Sequence, residues 1–95
     1  MKIKIPCLNV TSEQFIKRCG YGETRNREGI SYVRRLRGYQ FPRFHIYLEK
    51  EYLNLHLDQK ACCYQGISAH SGEYDTEVVK EEGKRIEGFI KKYEV

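Results

Sequence analysis

His45 and His56 are the residues whose type and setting best suit chemistry in this chain. Imidazole is the one side chain that ordinarily gains or loses a proton near neutral pH. Two imidazoles held side by side can serve as acid and base, share a proton or grip a metal ion. Arg43 stands two residues before His45 and Asp58 two residues after His56. A catalytic pair needs one imidazole as base and one as acid, with a cation to hold a phosphate, and His45, His56 and Arg43 meet that description, with Arg34 or Arg35 as additions from the neighbouring strand. The same two rings, joined by His70, Asp58 or Glu73, form a nitrogen and oxygen ligand set suited to zinc. No compact ligand motif such as HExxH accompanies them.

The elements that hold these residues follow from alternation. Phe44, Ile46 and Leu48 alternate with Arg43, His45 and Tyr47, and Leu53, Leu55 and Leu57 alternate with Asn54, His56 and Asp58. A period of two on both arms predicts an antiparallel hairpin with one apolar and one polar face. A two-residue turn at Lys50-Glu51 sets Leu48 against Leu53, Ile46 against Leu55 and Phe44 against Leu57. On the other face Tyr47 meets Asn54, His45 meets His56, and Arg43 meets Asp58. A slip of one residue would oppose apolar to polar side chains throughout. A slip of two remains open, because Lys-Glu lacks the Gly or Asn that tight turns prefer. Both imidazoles stay together on the polar face in either register, and that face is expected to look toward solvent.

The rest of the chain supplies a frame. Met1 to Ile5 reads as a short strand or extended lead stopped by Pro6. Thr11 and Gln14 form a capping-box signature for a helix ending near Cys19, with Gly20 or Gly22 at its stop. Gly22 to Gly29 is polar and turn-rich and reads as a loop, Ile30 to Arg37 as a strand, and Gly38-Tyr39 as the turn after it. Gln59 to Tyr74 reads as an irregular connection. Asp75 or Thr76 then caps a last helix reaching about Tyr93, with Val79, Gly83, Ile86, Ile90 and Tyr93 as its apolar stripe. Gly83 on that stripe suggests close packing on the sheet. The predicted fold is α+β in the order α-β-β-β-α, a three-stranded antiparallel sheet packed on two helices, with an optional short N-terminal strand. Its 95 residues suit a single domain spanning 1–95.

Composition narrows the function classes. Charged residues make up 32% and hydrophobic ones 40%, a balance that argues against disorder. The net charge of +4 is uneven: 11 Lys/Arg face 4 Asp/Glu in residues 1–50, and 6 face 9 in residues 51–95. Such asymmetry marks either a basic face for nucleic acid or a surface whose charges compensate across the fold. The four cysteines, Cys7, Cys19, Cys62 and Cys63, form no CxxC pair and read as reduced, buried or half-buried small hydrophobes. With no leader-like or membrane-length apolar run, the expected location is the cytoplasm, away from membranes.

The stretch from Ser31 to Arg43 is rich in Arg and aromatic residues, the types that contact phosphates and stack on unpaired bases. Arg34, Arg35, Arg43, Tyr47 and Lys60 are the candidate nucleic-acid contacts. In a regular strand Arg34 and Arg35 point to opposite faces and cannot serve one site together.

The predicted order, with Gly20-Tyr21 closing the first helix and a histidine-bearing strand, resembles double-stranded-RNA-binding folds, and among these HicA-type mRNA interferases. That resemblance implies RNA cleavage by a strand histidine. In place of the family's Gly-Ser-His-His signature, His45 here follows Arg43-Phe44. The segments Tyr32-Val33-Arg34-Arg35-Leu36, Arg43-Phe44-His45 and Leu55-His56-Leu57-Asp58-Gln59-Lys60 also resemble short uncharacterised proteins of candidate-phyla bacteria, a likeness that implies a family and no activity.

The sequence therefore favours a small basic RNA-binding domain, with His45 and His56 as an acid–base pair if it cleaves RNA. Next comes a zinc protein or metal-dependent hydrolase using His45, His56, His70 and Asp58. A third reading is a non-catalytic interaction domain that meets another protein or a second copy of itself through Tyr47 and the hairpin edge.

Overall fold

A computed structural model describes residues 1–27, 29–36, 42–58, 72–73 and 76–95. The elements in chain order are β1 (Lys2–Lys4), α1 (Ser12–Arg18), β2 (Gly22–Asn26), β3 (Gly29–Arg35), β4 (Arg43–Leu48), β5 (Tyr52–Asp58), β6 (Gly72–Glu73) and α2 (Glu77–Tyr93). The broad class is α+β as expected, but the predicted three-stranded sheet is corrected. Five antiparallel strands run in the order β1-β5-β4-β3-β2, and the two-residue β6 also pairs with β5.

The two strands beyond the predicted three are edge elements. Gly22-Glu23-Thr24-Arg25-Asn26, expected to be a loop, pairs along its length with β3. It carries no apolar residue, so it leaves no apolar period to read. Its backbone hydrogen bonds, not a buried face, hold it in place, and Glu23 with Arg25 puts charge on an exposed rim. Gly29, at a φ of +125°, supplies the left-handed backbone by which β2 turns into β3. At the other edge, the lead read at Met1 to Ile5 pairs Lys2, Ile3 and Lys4 with Asn54, Leu53 and Tyr52.

The hairpin takes the expected register without the two-residue slip: Leu48–Leu53, Ile46–Leu55, Phe44–Leu57, Tyr47–Asn54, His45–His56 and Arg43–Asp58 are all opposed. The Glu49 amide closes the turn by donating to the Tyr52 carbonyl at 2.8 Å. The apolar row of this hairpin meets Phe15 and Ile16 of α1 and Val79, Ile86 and Ile90 of α2 in one cluster with Ile3, Tyr21 and Tyr32. Side chains such as Ile46 and Leu55 are fully buried there, and each contributes roughly 1.5–3 kcal/mol. Both helices thus lie on one side of the sheet.

Helix α1 begins with the capping box read from the sequence: the Gln14 amide donates to Thr11 Oγ1, and the Thr11 amide donates to Gln14 Oε1, both at 3.1 Å. Thr76 occupies the N-cap of α2 without a side-chain capping bond. The inward stripe of α2 includes Gly83, where a Cβ would lie 2.5 Å from Met1 Sδ. Glycine there lets the first residue of the chain lie against the last helix. Cys19 is buried as expected; Cys7 is exposed, because it follows Pro6 outside the strands. Among the described residues no helix is long and apolar enough to cross a membrane. Gly38, Tyr39, Lys60, Cys62, Cys63, His70 and Asp75, and nearly all of the expected connection from Gln59 to Tyr74, lie outside the described residues.

Candidate metal centre

Strand pairing builds the site in rows on the face away from the helices. One row runs Val33, His45, His56 across β3, β4 and β5, and the next runs Arg35, Arg43, Asp58. Ser31, two residues before Val33, shares this face by strand parity. The imidazole centroids lie 4.9 Å apart, so side-by-side placement is as the alternation predicts.

Their exposure is not. His45 retains 6% of its accessible surface and His56 1%, where a solvent-facing pair was expected. Alternation decides which side a residue occupies, not what lies over it. The Tyr47 ring stacks on His45 at 4.5 Å between centroids and lies nearly parallel to His56 at 5.5 Å. It thus flanks both imidazoles on their own face.

Burial obliges polar atoms to find partners, and here they find one another. Asp58 Oδ2 lies 2.9 Å from His45 Nδ1, and Asp58 Oδ1 lies 3.0 Å from His56 Nε2. The other nitrogen of His45, Nε2, is 2.7 Å from the hydroxyl of fully buried Ser31. Arg43 Nε stands 3.8 Å from the same carboxylate oxygen that meets His45. Burial alone would raise the Asp58 pKa. Hydrogen bonds and charge from His45 and His56 outweigh it and hold the carboxyl well below the usual carboxylate range. In a neutral His45 this geometry places the proton on Nδ1, donated to Asp58, while Nε2 accepts from Ser31.

Those distances also describe a ligand set. One donor atom from each of His45, His56 and Asp58 lies within 4.8 Å of the others. A tetrahedral zinc with bonds of about 2.0–2.2 Å wants donors roughly 3.3 Å apart. Each imidazole stands near that spacing from its own carboxylate oxygen, His45 from Oδ2 and His56 from Oδ1, so the carboxylate and the rings must shift to bring one oxygen and both nitrogens around an ion. A cation seated on His45 Nδ1 would push that ring's proton to Nε2, where Ser31 Oγ can accept it. A hydroxyl both donates and accepts, so Ser31 satisfies either tautomer.

The remaining candidates distribute unevenly. Tyr47 and Arg43 belong to the site. Arg35 is on the same face, opposite Arg43, and exposed. Arg34 is on the helix face: it lies over Phe44 and reaches Glu82 Oε1 at 3.7 Å. Lys60 and His70 are outside the described residues, and Glu73 stands opposite Leu57 in the register, not opposite His56 or Asp58. Ser31 was missed, although it opens the basic stretch. Its place beside His45 depends on the pairing of β3 with β4, which no tight turn declares.

A second buried cluster lies on the helix side and escaped the sequence reading. Glu82, one position off the apolar stripe of α2, is buried. Tyr21 Oη donates to its Oε2 at 2.5 Å. Arg85 grips both oxygens, with Nε on Oε1 at 2.7 Å and Nη2 on Oε2 at 2.8 Å, and Nη2 also donates to the Cys19 carbonyl at 2.7 Å. Burial, then the Glu82 charge, push the Tyr21 hydroxyl far above its ordinary pKa. The hydrogen bond to Glu82 raises that of Arg85.

No family model, curated protein or solved structure matches the chain, so the geometry of the site itself carries the functional reading.

Proposed function

We propose that this protein binds a divalent transition metal of the zinc class through His45 Nδ1, His56 Nε2 and one Asp58 oxygen. The observation that carries the reading is the convergence of three metal-competent donors in a buried spot. The donor set of two neutral nitrogens and one carboxylate favours zinc or iron(II) over the hard cations magnesium and calcium, which prefer oxygen. Three protein ligands leave coordination open to another molecule, the pattern of metal sites that bind or transform something.

The alternative of an RNA-binding surface, with His45 and His56 as acid and base, draws on Arg35 and Arg43 of the same face. It gains less from the geometry. A general acid or base must reach its substrate, and both rings are buried. Arg34, counted among the phosphate contacts, turns instead to the helix side.

Calorimetric titration of the untagged, metal-free chain with zinc tests the proposal. Uptake should saturate at one zinc per chain, and His56→Ala and Asp58→Asn should each weaken it by at least about 100-fold. A folded chain that takes up no zinc, or takes it up equally well without Asp58, would falsify the proposal.

A further inference from the structure

The two edges of the sheet differ in what they offer a further strand. β1 has three residues, with Lys2 and Lys4 flanking Ile3, and pairs with β5. β2 has five, Gly22 to Asn26, and pairs with β3 residue for residue, without a bulge. Among the described residues β3 is the sole strand neighbour of β2, and Gly22, Glu23 and Arg25 are exposed. Every second amide and carbonyl along such a strand points to its free side, a template for one more strand. Charge decides which strand fits. Two copies of β1 meeting antiparallel about Ile3 would set Lys2 of each against Lys4 of the other, which is unfavourable. Two copies of β2 meeting about Thr24 set Glu23 of each against Arg25 of the other and Thr24 against itself, which is favourable. Moving the centre of pairing to Glu23 or to Arg25 would oppose like charges.

We infer that β2 is a dimerisation edge, joining two copies of this chain antiparallel about a twofold axis at Thr24. The inference is independent of the metal reading. Glu23 and Arg25, already 3.2 Å apart within one copy, meet those of the second copy in a square of alternating charge. Both lie on the helix side of the sheet, where Glu23 stands opposite buried Tyr32. Lys17 Nζ, 3.9 Å from Glu23, comes from α1 and so opposes no strand residue of the second copy. Ile30, opposite Arg25 and 48% exposed, is apolar surface that the added copy shields. A foreign strand has to carry an anion and a cation at the matching spacing and order; a second copy does so by symmetry. The axis stands perpendicular to the sheet, so the helices of both copies fall on one side. Both sets of His45, His56 and Asp58 then share the other.

Sedimentation equilibrium of the full chain tests this. It should show a monomer–dimer equilibrium that weakens as salt is raised. Glu23→Arg alone and Arg25→Glu alone should each weaken the dimer at least about tenfold, because each sets like charges against each other at both crossings. The two changes together restore opposite charges and should bring the dissociation constant back to within about threefold of the unaltered chain. Mild oxidation of Thr24→Cys should join position 24 of one copy to position 24 of the other, read by mass spectrometry, since opposed strand residues stand within disulfide reach. A chain that stays monomeric up to about 1 mM, or a dimer that ignores both single changes, overturns the inference. So does a dimer that the paired change fails to restore.

Discussion

Each face of the sheet has a carboxylate held by other side chains, buried Glu82 on one and half-buried Asp58 on the other, and the two are solved differently. On the helix side, Glu82 is closed off by a phenol and by a guanidinium that grips both of its oxygens. On the other side, Asp58 is shared between two imidazoles, with Arg43 farther off. Arginine never loses its charge under ordinary conditions, and together with the Tyr21 hydroxyl it occupies both oxygens of Glu82. Imidazole without its extra proton is a Lewis base, and Asp58 draws two of them to one point. The first arrangement is a clasp, and the second offers a ligand set. The chemistry of the partners distinguishes the two.

The comparison breaks most sharply at Glu82. Glu82→Ala should cost about 3–5 kcal/mol in chemical denaturation, because Arg85 and Tyr21 lose their shared acceptor. It should leave metal stoichiometry in the surviving folded fraction unchanged. Next in size is Ser31→Ala, which removes the partner of His45 Nε2. Zinc affinity should fall about 10- to 100-fold, with a loss of about 1–2 kcal/mol in stability for the unsatisfied ring nitrogen. Nitrogen NMR of the His45 ring should show the proton on Nδ1 before zinc and on Nε2 after it. A ring unchanged by zinc would show that Ser31 only packs.

A smaller effect belongs to Cys19, which sits beneath the helix face beside the Glu82 cluster. Burial pushes its thiol up to about 11. The folded state favours the neutral thiol, so this contribution to stability is intact below the unfolded thiol pKa. It is lost as pH rises toward about 11. At pH 8, alkylation followed by mass spectrometry should modify exposed Cys7 and spare Cys19 until the chain unfolds. The smallest change is Arg34→Met. Its pairing with Glu82 is 3.7 Å long and the arginine is partly exposed, so the loss should stay below about 1 kcal/mol. A loss as large as that for Glu82→Ala would make Arg34 part of the clasp.

What the sequence disclosed follows the reach of its signals. The hairpin register was legible because apolar and polar residues alternate on both arms, and a one-residue slip would reverse every side chain. The capping box at Thr11 and the stripe of α2 were legible for the same local reason. Strand β2 was not: Glu23, Thr24, Arg25 and Asn26 bury no apolar row, and only the pairing with β3 makes them a strand. Ser31 was invisible as a partner of His45 because parity within one strand says nothing of alignment with the next. Glu82 left a faint signal: a carboxylate next to an apolar stripe, with Arg85 one turn on. The burial of the two imidazoles left none, since alternation assigns a side and cannot count what covers it.

The close approach of Met1 to Gly83 bears on the order in which the protein can form. The Met1 ammonium donates to the Leu55 carbonyl at 2.8 Å, and Leu8 bridges to Glu94. During synthesis the opening strand therefore waits for β5, and its flank waits for the last turn of α2. Contacts between such distant stretches make folding slow for a domain of this size. A ribosome-bound chain lacking α2 has only α1 over the apolar row of its hairpin, so the seventeen-residue α2 acts as the seal on a sheet laid down before it.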